Sequence, residues 1–268
     1  MIAFGNMLWR IGEILDFDDQ LAWTHDAGFD GVGFHASGGA PGQWRGIDPA
    51  DCDSVRRASL RRRLSAFTYV EIHAPFAIEL TADRLEAEID ALAPVLRLAA
   101  DVGASVVTVH AQIADTGGER DAWARAMERL DGLAAQARTT IGLEITDGFA
   151  AVNRRGLPRV GVTLDVGHMC DRGRAGLLAR VGGLGGLIRD LGQALVHLHL
   201  HDTDGVTDHC EVGTGIVDFA AIIAALQETG YRGAATLEMN PERCSPAGIA
   251  RSLAHLRDLC SEGRVVGR

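Results

Sequence analysis

The chain has 268 residues, 47% apolar and 23% charged, a composition that can bury a sizeable core and sets wholesale disorder aside. Its formal charge of −10 disfavours nucleic acid as a partner, because nucleic-acid enzymes carry a basic footprint. The five cysteines, at 52, 170, 210, 244 and 260, are odd in number and include no C-x-x-C pair, which points away from a disulfide framework and from a zinc knuckle. The opening MIAFGNMLWRIGEIL has neither the basic start nor the cleavage site of a secretory signal, and no apolar run reaches the roughly 18 residues of a membrane span. The expectation is a cytoplasmic protein without membrane contact, acting on a small-molecule substrate; assembly into a homo-oligomer stays open.

Taken in chain order, short apolar and β-branched runs predict strands at 2–8 (IAFGNML), 30–35 (DGVGFH), 69–74 (YVEIHA), 104–110 (ASVVTVH), 140–145 (TIGLEI), 160–165 (VGVTLD), 195–201 (LVHLHLH) and 234–239 (AATLEM). Helical patterns separate them at 17–28, 51–64, 84–100, 120–137, 172–192, 217–229 and 245–260. The clearest is 84–100, where Leu85, Ile89, Leu92, Leu96 and Ala99 recur at steps of three and four, with Pro94 set to kink or restart the helix. Strict alternation predicts parallel strands joined by helical crossovers. Eight such units in one chain of this length predict the α/β class and a single (β/α)8 TIM barrel over 1–268, with an open doubly wound sheet as the alternative.

The longest irregular stretch, 36–50 (ASGGAPGQWRGIDPA), reads equally as a flap over a site, with Trp44 and Arg45 as contacts, or as a plain surface loop. GGLGG at 182–186 lacks the strand-turn-helix context of a dinucleotide fingerprint and reads as a flexible break. VGTG at 212–215 reads as a turn whose glycines could let backbone N–H groups approach a phosphate.

From the third strand onward the predicted strands finish on residues able to bind metal or move protons: His73, His110, Glu144, Asp165, His199 or His201, and Glu238. In a barrel those ends open on the face where active sites of this fold are built. Any one of them alone is more often a solvated or hydrogen-bonded side chain. Together, carboxylates converging without a cation would repel one another, and a divalent ion removes that cost. Oxygen ligands with imidazoles suit Mn, Co, Zn or Mg, and no cysteine falls at a strand end to suggest a thiolate-rich zinc site. His197, His199 and His201, spaced by two, share one side of their strand: His197 as a core histidine, His199 at ligand depth, His201 and Asp202 at the mouth.

The segments VEIHAPF (70–76), VVTVHAQ (106–112), IGLEIT (141–146), VTLDVGHM (162–169), VHLHLHDTDGVTDHCEVGTGIVDF (196–219) and ATLEMNP (235–241) resemble the xylose-isomerase-like TIM barrel superfamily. That superfamily includes sugar (phosphate) isomerases and epimerases and the endonuclease IV type of DNA repair enzyme. The resemblance implies one divalent metal on Glu144, Asp165, His199 and Glu238, with His168 contacting substrate. It implies a metal-dependent isomerase or epimerase of a small sugar, polyol or related hydroxy-carbonyl compound, working by proton transfer through a metal-stabilised enediolate. Glu144 and Glu238 would be the proton-transfer groups, His168 would donate to the developing oxyanion, and His73, His110, His201, Trp44 and Arg45 would bound the substrate. The nuclease branch holds three metals, and His73, His110, His168 and His209 match its further ligands, so a second ion on those residues stays open. Where that branch has an aspartate two residues before the last histidine, this chain has Thr207, with Asp208 displaced by one. The competing readings are a phosphodiester hydrolase of DNA repair and a metal-dependent lyase or hydrolase on a natural-product scaffold.

Overall fold

Side chains alternate between the two faces of every strand, so a closed parallel barrel has one layer packed under its helices and another along its axis. The computed structural model describes residues 2–113 and 119–262, except the Arg172 side chain. The expected span of 1–268 thus runs beyond the described residues at Met1, 114–118 and 263–268. The strands are β1 (Ala3–Leu8), β2 (Gly31–His35), β3 (Tyr69–His73), β4 (Glu79–Leu80), β5 (Val106–Ala111), β6 (Thr140–Glu144), β7 (Val160–Asp165), β8 (Leu195–Leu200) and β9 (Ala234–Leu237). All pair in parallel with their neighbours, β3 pairs with β5, and β9 returns to β1. Leaving β4 aside, that closure is a (β/α)8 TIM barrel.

Two features depart from the expected elements. The short β4 was not predicted. It pairs with His110 and Ala111 of β5, beyond the last β3–β5 pair at His73 and Thr108, where β5 would otherwise run on with an open edge. The expected helix at 172–192 is broken into Ala175–Val181 and Gly183–Leu191, because Gly182 and Gly183 both adopt a left-handed φ of 79°. Pro94 acts as expected: one helix ends at Ala91 and the next, Ala93–Val102, begins with the proline in its first turn, where its missing N–H costs nothing. Aspartate side chains cap other helices, Asp16 accepting from Asp18 and Asp19 and Asp218 from Ala221.

Outward strand residues such as Ile72, Val107, Leu143, Leu164, Leu198 and Leu200 are fully buried against helix residues that include Trp123, Leu130, Ile188 and Ile222. Burial of each such aliphatic side chain is worth roughly 1.5–3 kcal/mol, so this shell supplies the bulk of the stability. The axial layer is polar. At its foot Tyr69 crosses the barrel and donates its hydroxyl to the Ala235 carbonyl at 2.9 Å. Gly31 makes room for that ring, since a Cβ there would sit 2.1 Å from Tyr69 Cε1. Above the tyrosine the axis is filled by side chains that lead into the mouth.

Candidate metal centre and active site

Each expected ligand stands on a strand end or directly after one. Glu144 closes β6 and Asp165 closes β7, His199 lies on β8, and Glu238 follows β9. All four are buried, from 0% exposed for His199 to 8% for Glu144. Ligand atoms of Glu144, Asp165 and His199 lie within 4.8 Å of one another, and so do those of His73, His199 and Glu238. Ligands on opposite sides of an ion at about 2.1 Å are about 4.2 Å apart, so small side-chain movements would gather either group around one cation.

Hydrogen bonding fixes the direction of two lone pairs. His199 Nε2 lies 2.6 Å from Glu71 Oε1, and a carboxylate accepts, so the proton of a neutral His199 sits on Nε2. Its Nδ1 lone pair then faces Glu238 Oε2 at 2.8 Å and Glu144 Oε2 at 3.4 Å. No hydrogen bond of acceptable angle reaches this buried nitrogen. His73 repeats the pattern: Nδ1 donates to the Ala74 carbonyl at 2.7 Å, leaving Nε2 towards Glu144 Oε2 at 3.3 Å. A lone pair against a carboxylate in a buried site is repulsive unless a cation, proton or metal, lies between them. Oxygen and imidazole donors in this arrangement fit a divalent ion.

Asp165 is oriented by two donors. Its Oδ1 caps the short turn Val166–Met169, accepting the His168 N–H at 2.8 Å, and takes His201 Nε2–H at 2.9 Å. His168, a third exposed, places Nδ1 3.5 Å from Glu144 Oε1 and 3.4 Å from Asp165 Oδ2. Burial opposes charge on His168, but the Asp165 and Glu144 carboxylates outweigh it and raise its pKa to about 9. Burial likewise opposes ionisation of Glu144, yet the surrounding imidazoles of His110, His168, His199 and His73 hold it well below the usual carboxylate range.

Several expected residues are placed differently. His201, expected at the mouth against substrate, is 0% exposed: Nε2 serves Asp165, Nδ1 accepts the His209 N–H at 2.8 Å, and the His209 ring stacks on it at 4.0 Å. Asp202, also expected at the mouth, is buried because the 203–217 loop folds back over it. Its carboxylate accepts N–H groups from Thr203, Gly213, Gly215 and Val217. The two glycine amides of VGTG are therefore committed to Asp202, that of Val212 to the Ser252 hydroxyl and that of Thr214 to the Glu211 carbonyl, and not to a phosphate. Arg45 is exposed and lines a separate cleft with Leu15, Asp16, Gly38, Asp48 and Arg56. Trp44, by contrast, packs against His35 and Phe76 with ring centroids 5.1 and 6.4 Å apart. Asp208 reaches 3.7 Å from His168 Nε2 but is paired with Arg243 at 2.8 Å.

Glu71, His35, Trp9 and Phe76 contribute to the site beyond the expected residues. Glu71, 0% exposed and two residues below His73, bonds both His197 and His199. His35 closes β2 beside His73 in register, and neither of its buried ring nitrogens has a partner. Burial, reinforced by the neighbouring His73, lowers its pKa to about 3. Trp9, Trp44 and Phe76 surround it and form an aromatic side to the mouth. Beside it, where Phe76 packs on His110, opens a cleft of about 630 Å³ lined by Glu79, His110, Gln112, Glu144, Asp147, His168 and Arg174 among others. Strand-end histidine was the signal for His35, and the period of two on β3 was the signal for Glu71.

Among the described residues no helix is long and apolar enough to cross a membrane. An 80-residue stretch is 29% identical to the uncharacterized protein MJ1311 of Methanocaldococcus jannaschii, covering 30% of this chain and a quarter (25%) of that protein's length. In structure the chain is similar to a D-tagatose 3-epimerase-like protein, with a TM-score of 0.71, 16% identity and 100% of both chains covered. It is also similar to L-ribulose 3-epimerase, with a TM-score of 0.70, 22% identity and coverage of 100% of this chain and 99% of the other. At these identities the likeness is one of fold. The model of the xylose isomerase-like TIM barrel family matches residues 21–259, nearly the whole barrel, and the chain belongs to that family.

Proposed function

We propose that this protein is a divalent-metal-dependent epimerase or isomerase of a small sugar, polyol or related hydroxy-carbonyl compound, with the ion held by Glu144, Asp165, His199 and Glu238. The observation that carries the proposal is His199 Nδ1, a buried nitrogen without a hydrogen bond that faces two carboxylates. The 3-epimerases among the structural neighbours support the choice of substrate class. Mn, Co, Zn and Mg all suit the donor set.

When bound, the ion would act as a Lewis acid on adjacent carbonyl and hydroxyl oxygens, making a neighbouring C–H acidic. The chain's own residues supply the rest. Glu144 and Glu238 arrive from non-adjacent strands at one imidazole nitrogen, and each has a second oxygen with which to take or return a carbon-bound proton. Two such groups on opposite faces of a carbon give epimerisation, whereas one group carrying the proton between neighbouring carbons gives isomerisation. His168, a third exposed beside Glu144 at the edge of the cleft, is placed to donate to the oxygen on which negative charge develops. His110 edges the polar cleft, and Trp9, Trp44 and Phe76 offer the carbon face of a sugar an apolar surface. Glu79, Glu144 and Asp147 in the cleft face a phosphodiester backbone with the wrong charge, which weighs against the nuclease reading.

The test is solvent deuterium incorporation. Manganese-loaded protein is incubated in D2O with a panel of ketopentoses, ketohexoses and inososes. Exchange at one carbon beside the carbonyl, with appearance of the epimer or isomer, is expected for at least one member and should be lost with Glu144→Gln. Clean incision of abasic-site DNA with no exchange on any sugar would overturn the proposal.

A further inference from the structure

Beneath the proposed metal site lies a carboxylate that the chemistry above does not use. Glu71 points into the barrel from β3 and has no exposed surface. Its Oε1 accepts the Thr108 hydroxyl at 2.7 Å and faces His199 Nε2 at 2.6 Å, while Oε2 faces His197 Nε2 at 2.9 Å. Thr108 in turn lies 3.1 Å from the Thr163 hydroxyl, and His197 Nε2 lies 3.0 Å from that of Thr236. Side chains of β5 and β8 therefore bond this buried β3 anion directly, and those of β7 and β9 join the network through Thr108 and His197. Gly33 of β2 leaves space for it, since a Cβ there would stand 3.0 Å from Glu71 Oε2.

A buried ion is costly unless it is paired and hydrogen-bonded, and a carbon-rich interior layer would have filled the same volume without that cost. The geometry assigns the cost a purpose. We propose that Glu71 is a positioning residue for the metal: it holds the His199 proton on Nε2, turns the Nδ1 lone pair towards Glu144 and Glu238, and increases the basicity of that nitrogen. The inference rests on the metal reading above. The hydrogen bond to His199 carries it: at 2.6 Å it falls just under the roughly 2.7–2.9 Å usual for charge-assisted N–H···O bonds. Removing an outer carboxylate from a ligating histidine typically weakens metal binding about 10- to 100-fold.

Substitution separates positioning from mere packing. Glutamine keeps the shape and one acceptor oxygen, which can still face Thr108 and His199 while its NH2 turns to His197. Leucine removes both acceptors. Manganese affinity measured by titration calorimetry should fall by about 10-fold in Glu71→Gln and by about 100-fold in Glu71→Leu, the span given by outer-ligand substitutions elsewhere. His197→Gln is the control, because it disturbs the same network while leaving the Glu71 to His199 bond in place. It should lower the thermal midpoint of the metal-free protein and leave the manganese affinity within about 3-fold of wild type, far less than that span. Wild-type affinity in Glu71→Leu, or an equal loss in His197→Gln, overturns the assignment. If the wild-type protein takes up no manganese, cobalt, zinc or magnesium, the metal reading itself fails, and the inference fails with it.

Discussion

The two faces of strand β8 differ more than any two neighbouring regions of the molecule. Leu198 and Leu200 point outward into a shell of aliphatic side chains beneath the helices, while His197, His199 and His201 point inward. Both faces are buried, yet only the outer one gains from burial alone. The inner one requires Glu71 and Asp165 to satisfy its imidazoles, and on His199 it leaves one nitrogen, facing Glu144 and Glu238, unsatisfied. A barrel can carry this polar axis because the aliphatic shell supplies the stability that the axis does not.

The sharpest way to break the comparison is to alter the inner face without altering its shape. Glu238→Gln should lower turnover by about 10²- to 10⁴-fold, the usual contribution of a proton-transfer group, with an unchanged circular dichroism spectrum. Next in size, Leu198→Ala on the outer face should cost about 2–5 kcal/mol in denaturant unfolding, while metal affinity stays at the wild-type value. Loading the protein with manganese at 100 times its Kd should then stabilise it by about 2.7 kcal/mol over the chelator-treated form.

A pH series sharpens the same contrast. In the metal-free barrel His168 is raised to about 9, and burial on His73, His199 and His201 is likewise outweighed by carboxylates that raise them. A raised histidine contributes stability in full below its unfolded pKa of about 6.5 and loses it as pH rises through the folded value. The metal-free midpoint should thus fall between pH 6.5 and about 9, while metal-loaded protein, whose ion replaces the protons, should fall less over the same range. The smallest effect is expected at the rim. Trp44→Ala should raise KM by about 2- to 10-fold with little change in kcat, as loss of one aromatic contact would.

Much of this arrangement is legible in the residues themselves. The eight barrel strands follow from apolar runs because each is buried on its outer face by the same kind of side chain, and their ends fall within about two residues of the expected positions, the usual margin for element boundaries. The ring of candidate ligands follows from where those strands stop. Depth along the strand was harder to read: His201 and Asp202 look like mouth residues until the 203–217 loop is seen to fold over them. Partner choice was harder still. Glu71 stands in an ordinary strand, and only the closure of the barrel brings it to His197 and His199, 126 and 128 residues away in sequence. Arg45 and Trp44 are adjacent in one loop, yet Arg45 lines a separate cleft while Trp44 packs on His35.

The central claim is most directly tested by a crystal structure of manganese-soaked protein with anomalous scattering collected at the manganese edge. One strong peak is expected within about 2.0–2.6 Å of oxygens of Glu144, Asp165 and Glu238 and of His199 Nδ1. A peak held by other residues, or none at a manganese concentration that supports deuterium exchange, would contradict it.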